Sequence, residues 1–178
     1  MRTARRERGF TLMELMIVVI LLGILAAIMI PQYSTSTEDA KVNSLKANLS
    51  HVRNAVELYY NQHNETYPGD VTSSIAGHAN ADQWFVDQLT LYTKYDGTAK
   101  VSKDVAGGFK YGPYVKEAGL PVNPFNQKSD LLIDDTTTDV TDRTADGTTG
   151  WKFYTKTGVF IANDGSTLSD GVTTTSAL

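Results

Sequence analysis

The stretch FTLMELMIVVILLGILAAIMIP, residues 10–31, decides the fold. Glu14 is its single charged residue, and from Leu15 to Ile30 no side chain is polar. A helix of about 20 apolar residues, rising about 1.5 Å per residue, matches the roughly 30 Å hydrocarbon core of a bilayer. Just before it stand Arg2, Arg5, Arg6 and Arg8, with Glu7 the one acid among them. A basic flank stays on the cytoplasmic side, so everything after Pro31 is expected outside the cytoplasm. A cleaved secretory signal fits poorly, because the apolar run is too long and no small-x-small cleavage site follows it. Glu14 is costly in hydrocarbon unless it finds a partner or rests at the headgroup boundary, near the positive end of the helix dipole.

The rest of the 178-residue chain is polar and rich in Thr, Asp and Asn, so one anchor and one water-soluble domain are expected. There is no cysteine, which excludes a disulfide staple and any thiol nucleophile or thiolate metal site. Removing the four leading arginines and Glu7 from 16 basic and 20 acidic residues leaves a formal charge of −7. An acidic exterior argues against nucleic-acid binding, which needs a cationic face. No G-x-S-x-G elbow, P-loop or H-E-x-x-H is present, and Gly107-Gly108 is an isolated pair. Nothing here reads as an enzyme.

After Tyr33 the pattern turns amphipathic. Val42, Leu45, Leu49, Val52, Val56, Tyr59 and His63 recur at spacings of three and four, one apolar stripe on a helix. Lys41, Asn48, Asn54 and Asn61 mark the opposite side. One helix from Phe10 to about His63 is expected, about 80 Å long if continuous. Gly23 and Pro31 weaken it locally. The stripe suits packing on the domain's own sheet, and a coiled-coil seam with another copy is the alternative. His51, His63 and His78 have no ligand spacing, so His63 reads as a helix-end residue.

Tyr67-Pro68-Gly69 ends the helical region. Asn80 with Gln83 predicts a capping box opening a helix to about Lys94. Tyr111 to Tyr114 and Leu120 to Phe125 are proline-punctuated and extended. Residues 151–154 and 159–162 flank a turn closed by Gly158, a hairpin signal. Leu131 to Ile133 supplies a third strand, and the expected fold is α+β: a long helix packed on a small antiparallel sheet. Residues 134–150 hold Asp134, Asp135, Asp139, Asp142 and Asp146 among seven threonines. Clustered carboxylates suit calcium, although the spacing is not that of an EF-hand, and a solvated loop is the rival reading. The Thr- and Gly-rich tail after Asp164 is expected to be loosely ordered.

Gly9-Phe10-Thr11-Leu12-Met13-Glu14-Leu15, with a basic block before it and the apolar run after it, resembles the class III signal of type IV pilins and type II secretion pseudopilins. The resemblance covers residues 2 to about 31, and Gly23 and Pro31 match the family's helix-loosening positions. It implies that a prepilin peptidase cuts after Gly9 and methylates the new N-terminus at Phe10, leaving Glu14 as the fifth mature residue. In a staggered array Glu14 of one subunit can then meet the Phe10 amine of another, pairing two charges that are each costly alone. The implied organisation is a leader over 1–9, a transmembrane and polymerisation helix over 10–31, its amphipathic continuation over 32–63, and a globular domain over 64–178. The implied partners are identical subunits in a helical filament, the peptidase, an assembly platform with its ATPase, and minor pilins or pseudopilins. The inner membrane holds the chain before assembly. Among family members, major pseudopilins use a calcium loop where other pilins have a disulfide. The cysteine-free chain and its Asp-rich loop therefore favour a major pseudopilin of type II secretion over a surface pilus subunit. A monomeric membrane-anchored binding domain is the remote alternative.

Overall fold

The computed structural model describes residues 9–70, 77–78 and 80–178, with residues 28–36 described as backbone. The leader, apart from Gly9, lies outside the described residues. The chain divides into two compact units, Met1–Ala40 and Lys41–Leu178. Helix α1 (Leu12–Gln62) contributes its first part to one and its second part to the other.

Over residues 15–27 of the first unit α1 is apolar on every side. Each large side chain from Leu12 to Leu25 is exposed, from 83% at Leu12 to 48% at Ile17 and Val18. Helical backbone continues through both Gly23 and Pro31. Among the described residues no helix is long and apolar enough to cross a membrane. The expected span of 10–31 rests partly on residues 28–31, whose side chains lie outside those described. The described apolar helix, residues 12–27, covers only about 24 Å of a roughly 30 Å core.

In the second unit the stripe is buried as its spacing requires. Leu45, Leu49, Val52, Val56, Tyr59 and His63 are each at most 1% exposed, and Val42 is half-buried. They pack on Phe85 and Leu89 of α2 (Ala81–Thr90) and on Trp151, Phe153, Phe160 and Ala162 of the sheet. A seam with another copy is not needed to cover this face. Asn48, placed on the polar side by its spacing, is half-buried instead and donates to the Val122 carbonyl at 3.3 Å. After α1, Asn64 and Glu65 take left-handed backbone angles (φ 54° and 57°), and the Glu65 N–H reaches back to the Tyr60 carbonyl. Such a turn satisfies a carbonyl that the helix end would leave bare.

Strands β1 (Tyr92–Thr93) and β2 (Ala99–Lys100) pair antiparallel. A second sheet has the order β3 (Leu131–Asp134), β4 (Trp151–Tyr154), β5 (Phe160–Ala162). The β4–β5 hairpin lies where the sequence puts it. Gly158 sits at φ 71°, and a Cβ there would collide with the Tyr67 ring, so glycine is required. Three expectations need correction. β3 runs parallel to β4, with Leu131 beside Trp151, because residues 135–150 are long enough to carry the chain back to the same end of the sheet. α2 stops at Thr90, where Leu91 turns extended (φ −112°, ψ 177°) to enter β1, and Asn80 makes no side-chain cap bond. The tail is not loose: Thr167 bridges Thr174, and buried Thr175 donates from Oγ1 to Asp164 Oδ1 at 2.9 Å.

Arg53 ties α1 to this sheet, donating from Nε and Nη2 to the Phe160 carbonyl at 3.0 and 2.9 Å. Because Leu49 is fully enclosed, Leu49→Ala is expected to cost about 2–5 kcal/mol of unfolding free energy, against under about 0.5 kcal/mol for half-exposed Leu58→Ala. Urea denaturation of the two variants checks the contrast.

Candidate assembly site

The first turn of α1 is closed by its own residues. Thr11 precedes the helix, and its hydroxyl accepts from the Glu14 N–H at 3.2 Å. In return Glu14 Oε2 accepts from the Thr11 N–H at 2.9 Å and from the Thr11 hydroxyl at 3.0 Å. Threonine and glutamate three apart thus form a reciprocal capping box, each satisfying a donor the helix start leaves orphaned. The spacing Thr11-x-x-Glu14 carries this signal in the sequence, beside the expectation that Glu14 finds a partner or rests at the headgroup boundary. The box fixes the carboxylate at the helix start, and Oε1 takes no hydrogen bond among the described residues. Phe10, one residue before the cap, is 81% exposed. Gly23 has open space where a Cβ would stand. The structure therefore brings Phe10 and Glu14 to one helix end, with Gly23 farther along the same element.

The five loop aspartates do not converge. Among the described residues no group of three or more acidic or histidine side chains is placed to hold a metal ion. Four of the five are engaged locally instead. Asp139 Oδ1 accepts from the Thr141 N–H and hydroxyl at 2.8 and 2.7 Å. Asp142 does the same with Thr144 at 2.9 and 2.6 Å, and Asp146 with Thr148 at 2.9 and 2.6 Å. Asp134 takes the N–H groups of Thr136 and Thr137, both at 3.0 Å, and lies 3.4 Å from Lys152 Nζ. Asp-x-Thr is the unit here: the carboxylate folds back on its own chain and makes a turn. Buried Asn163 anchors the loop, donating to Asp146 Oδ1 and Thr149 Oγ1, both at 2.7 Å. The residues as placed do not fit calcium.

Residues 4–30 match a family model described as the prokaryotic N-terminal methylation motif. Gly9, Phe10, Glu14 and Gly23 fall inside the matched residues of the motif, and Pro31 directly follows them. The type II secretion system core protein G of Pseudomonas aeruginosa is 42% identical over 55 residues, 31% of this chain and 39% of that protein. A fimbrial protein of Neisseria meningitidis is 43% identical over 68 residues, 38% of this chain and 39% of the relative. The type IV major pilin protein PilE of Neisseria gonorrhoeae is 32% identical over 106 residues, 57% of this chain and 63% of the pilin. The matches therefore span between 39% and 63% of these relatives' own length. No solved structure matches the chain.

The Asp-x-Thr turns carry a pH signature. Hydrogen bonds from the threonine hydroxyl and N–H hold Asp139, Asp142 and Asp146 below the usual carboxylate range. At Asp134 burial pushes upward, and the bonds from Thr136 and Thr137 outweigh it. A carboxylate whose pKa is depressed by folding stabilises the fold above its unfolded value of about 3.9, and that stability is lost as pH falls. His63 adds an earlier limb. Burial lowers its pKa, so below about 6.5 the unfolded chain binds more protons and stability falls. Urea denaturation is expected to show a first decline below about pH 6.5 and a second below about pH 4. Asp134→Asn should make the second shallower. EDTA is expected to leave the thermal midpoint unchanged, and a fall of several degrees on chelation would restore a metal to the loop.

Proposed function

We propose that this chain is a structural subunit of a type IV pilin-like filament, cut after Gly9, methylated at the Phe10 amine and polymerised through α1. One observation carries this reading. A helix apolar on every side begins with a carboxylate fixed by Thr11, and one oxygen of that carboxylate takes no bond among the described residues. Thirteen large apolar side chains between Phe10 and Leu25 are exposed. Each favours burial by about 1.5–3 kcal/mol, so the segment requires lipid or other helices around it.

Cutting after Gly9 removes the arginines that hold the chain's end on the cytoplasmic face and leaves an amine at Phe10. In a filament the Phe10 amine of one copy meets the Glu14 carboxylate of another, each neutralising a charge that apolar packing leaves without water. The same two surfaces repeat head to tail without closing, which grows a helix of subunits. The membrane supplies the first cover for the apolar segment, and neighbouring copies supply the second. A prepilin peptidase, an assembly platform with its ATPase, and minor pilins or pseudopilins are the partners this reading requires. The globular domain ends outside the cytoplasm.

Two machines fit. The absence of cysteine and the 42% identity over 55 residues to a type II secretion system core protein G support a pseudopilus in the periplasm. The 106-residue match to a gonococcal major pilin extends well past the apolar helix and supports a surface pilus. Electron microscopy of the native filament, for length and location, separates them.

Glu14→Ala is expected to leave membrane insertion intact and to reduce filament yield by at least about tenfold, the loss of one buried charge partner. Thr11→Ala, which removes the hydroxyl but keeps the carboxylate, should reduce it less. Mass spectrometry of the mature chain should find methylated Phe10 at the N-terminus. Normal filament yield from Glu14→Ala would refute the pairing, and a mature chain beginning at Met1 would favour a monomeric anchored domain.

A further inference from the structure

Charge is unevenly spread within the second unit. Residues 94–110 hold four lysines against two aspartates, whereas residues 130–178 hold eight aspartates against three basic residues. The lysine segment starts just after β1, passes through β2 and folds back where Asp104 bridges Phe109 and Tyr111 bridges Thr93. Lys94 Nζ lies 4.7 Å and Lys100 Nζ 5.2 Å from the centre of the Phe109 ring, so one aromatic side chain gathers two ammonium groups. Both aspartates are occupied nearby. Asp104 accepts from Lys100 Nζ at 2.9 Å and from the Gly107 N–H at 2.8 Å, and Asp96 Oδ1 accepts from the Thr98 N–H and hydroxyl. Lys94, Lys103 and Lys110 make no ion pair among the described residues, and the last two are exposed.

Apolar surface is set among these charges. Val101 and Val105, four residues apart in the same segment, are 72% and 62% exposed. One exposed valine needs no explanation, but two beside unpaired ammonium groups make a surface that is apolar and cationic at once. Its complement lies in the same chain. In the loop after β3, Val140 is 62% exposed and stands between Asp139 and Asp142. The turns of those two aspartates use Oδ1, and neither Oδ2 takes a bond among the described residues. Asp135 is exposed as well. α2 packs on both β2 and β3, and no described hydrogen bond or ion pair joins residues 94–110 to residues 135–142. One copy therefore does not pair the two surfaces within itself.

The sign of the lysine segment calls for an acidic partner. A lipid surface would use the lysines but leave the valine-bearing acidic loop without a role. A second copy uses both, matching ammonium to carboxylate and valine to valine. We propose that residues 94–110 of one copy dock residues 135–142 of the next, with the lysines on the free carboxylate oxygens and Val140 against Val101 and Val105. The two surfaces differ, so the contact runs head to tail and does not close on itself. It rests on the filament reading above and adds to it a contact between globular units that the apolar helix does not supply. Complementary charge of this kind fixes register and orientation more than strength.

The test assembles filaments from equal parts of unlabelled and nitrogen-15 full-length chains and treats them with a water-soluble carbodiimide. The reagent joins a lysine amine to a carboxylate as an amide, taking up the water lost, and mass spectrometry then identifies links that mix the isotopes. Mixed links between residues 94–110 and 135–142 are expected. Filament yield should fall several-fold in the double variant Lys103→Glu with Lys110→Glu, and likewise in Asp139→Lys with Asp142→Lys. Mixing these two variants should restore both yield and links, because the reversed patch of one then faces the reversed loop of the other. Lys116→Glu, an exposed lysine outside the segment, should leave both unchanged. Wild-type filaments without these links, or full yield from either double variant alone, would overturn the contact and leave the filament reading standing. No filament from the wild-type chain would overturn both. Lys103 and Lys110 unlinked in filaments, yet shielded from acetylation in phosphatidylglycerol but not phosphatidylcholine vesicles, would assign the segment to lipid and overturn the proposal.

Discussion

One helix carries two incompatible surfaces, and the rest of the molecule follows from where each can be buried. Over residues 41–62 most apolar side chains fall on a single stripe, which a small sheet and a short helix bury from Leu45 to Tyr59. Over residues 12–25 they surround the axis, and each large one is exposed. A surface of that kind must be buried by lipid or by other copies, because water penalises every face of it. The globular unit folds around the first surface, and the proposed filament uses the second.

The capping box gives this assembly surface a defined beginning. Without Thr11, the carboxylate of Glu14 would be a mobile charge at the edge of an apolar helix. With it, Glu14 stabilises the helix start and stays fixed in place beside Phe10. The same residue can serve the helix locally and a neighbour's amine across the filament, since the two roles use different oxygens. That economy explains how an acid can be carried into hydrocarbon without melting the first turn.

Periodicity made α1 and its buried stripe legible, and turn chemistry made the β4–β5 hairpin legible, because both are local signals. The parallel pairing of β3 with β4 was not legible, since strand direction depends on how residues 135–150 return. The β1–β2 pair was missed although Asp96-Gly97 between the strands is a hairpin turn signal, because two-residue strands carry almost no pattern. Reading the loop aspartates by count suggested a cation. Reading four of them by spacing, each with a threonine two residues on, shows turns in which a carboxylate oxygen accepts from that threonine. The reciprocal bonds of Thr11 and Glu14 were written in their spacing but overshadowed by the charge itself. Asn80, by contrast, has the right spacing for a capping box and makes no side-chain cap bond.

The account turns on the partner of the Glu14 carboxylate in the assembled state. Filaments grown from a mixture of copies, half labelled with nitrogen-15 and half with carbon-13, allow a solid-state NMR measurement that sees only contacts between copies. The account predicts a cross-peak between the Phe10 amine nitrogen and the Glu14 carboxyl carbon. Its absence, with the Phe10 amine correlating to some other group of a neighbouring copy, would contradict it.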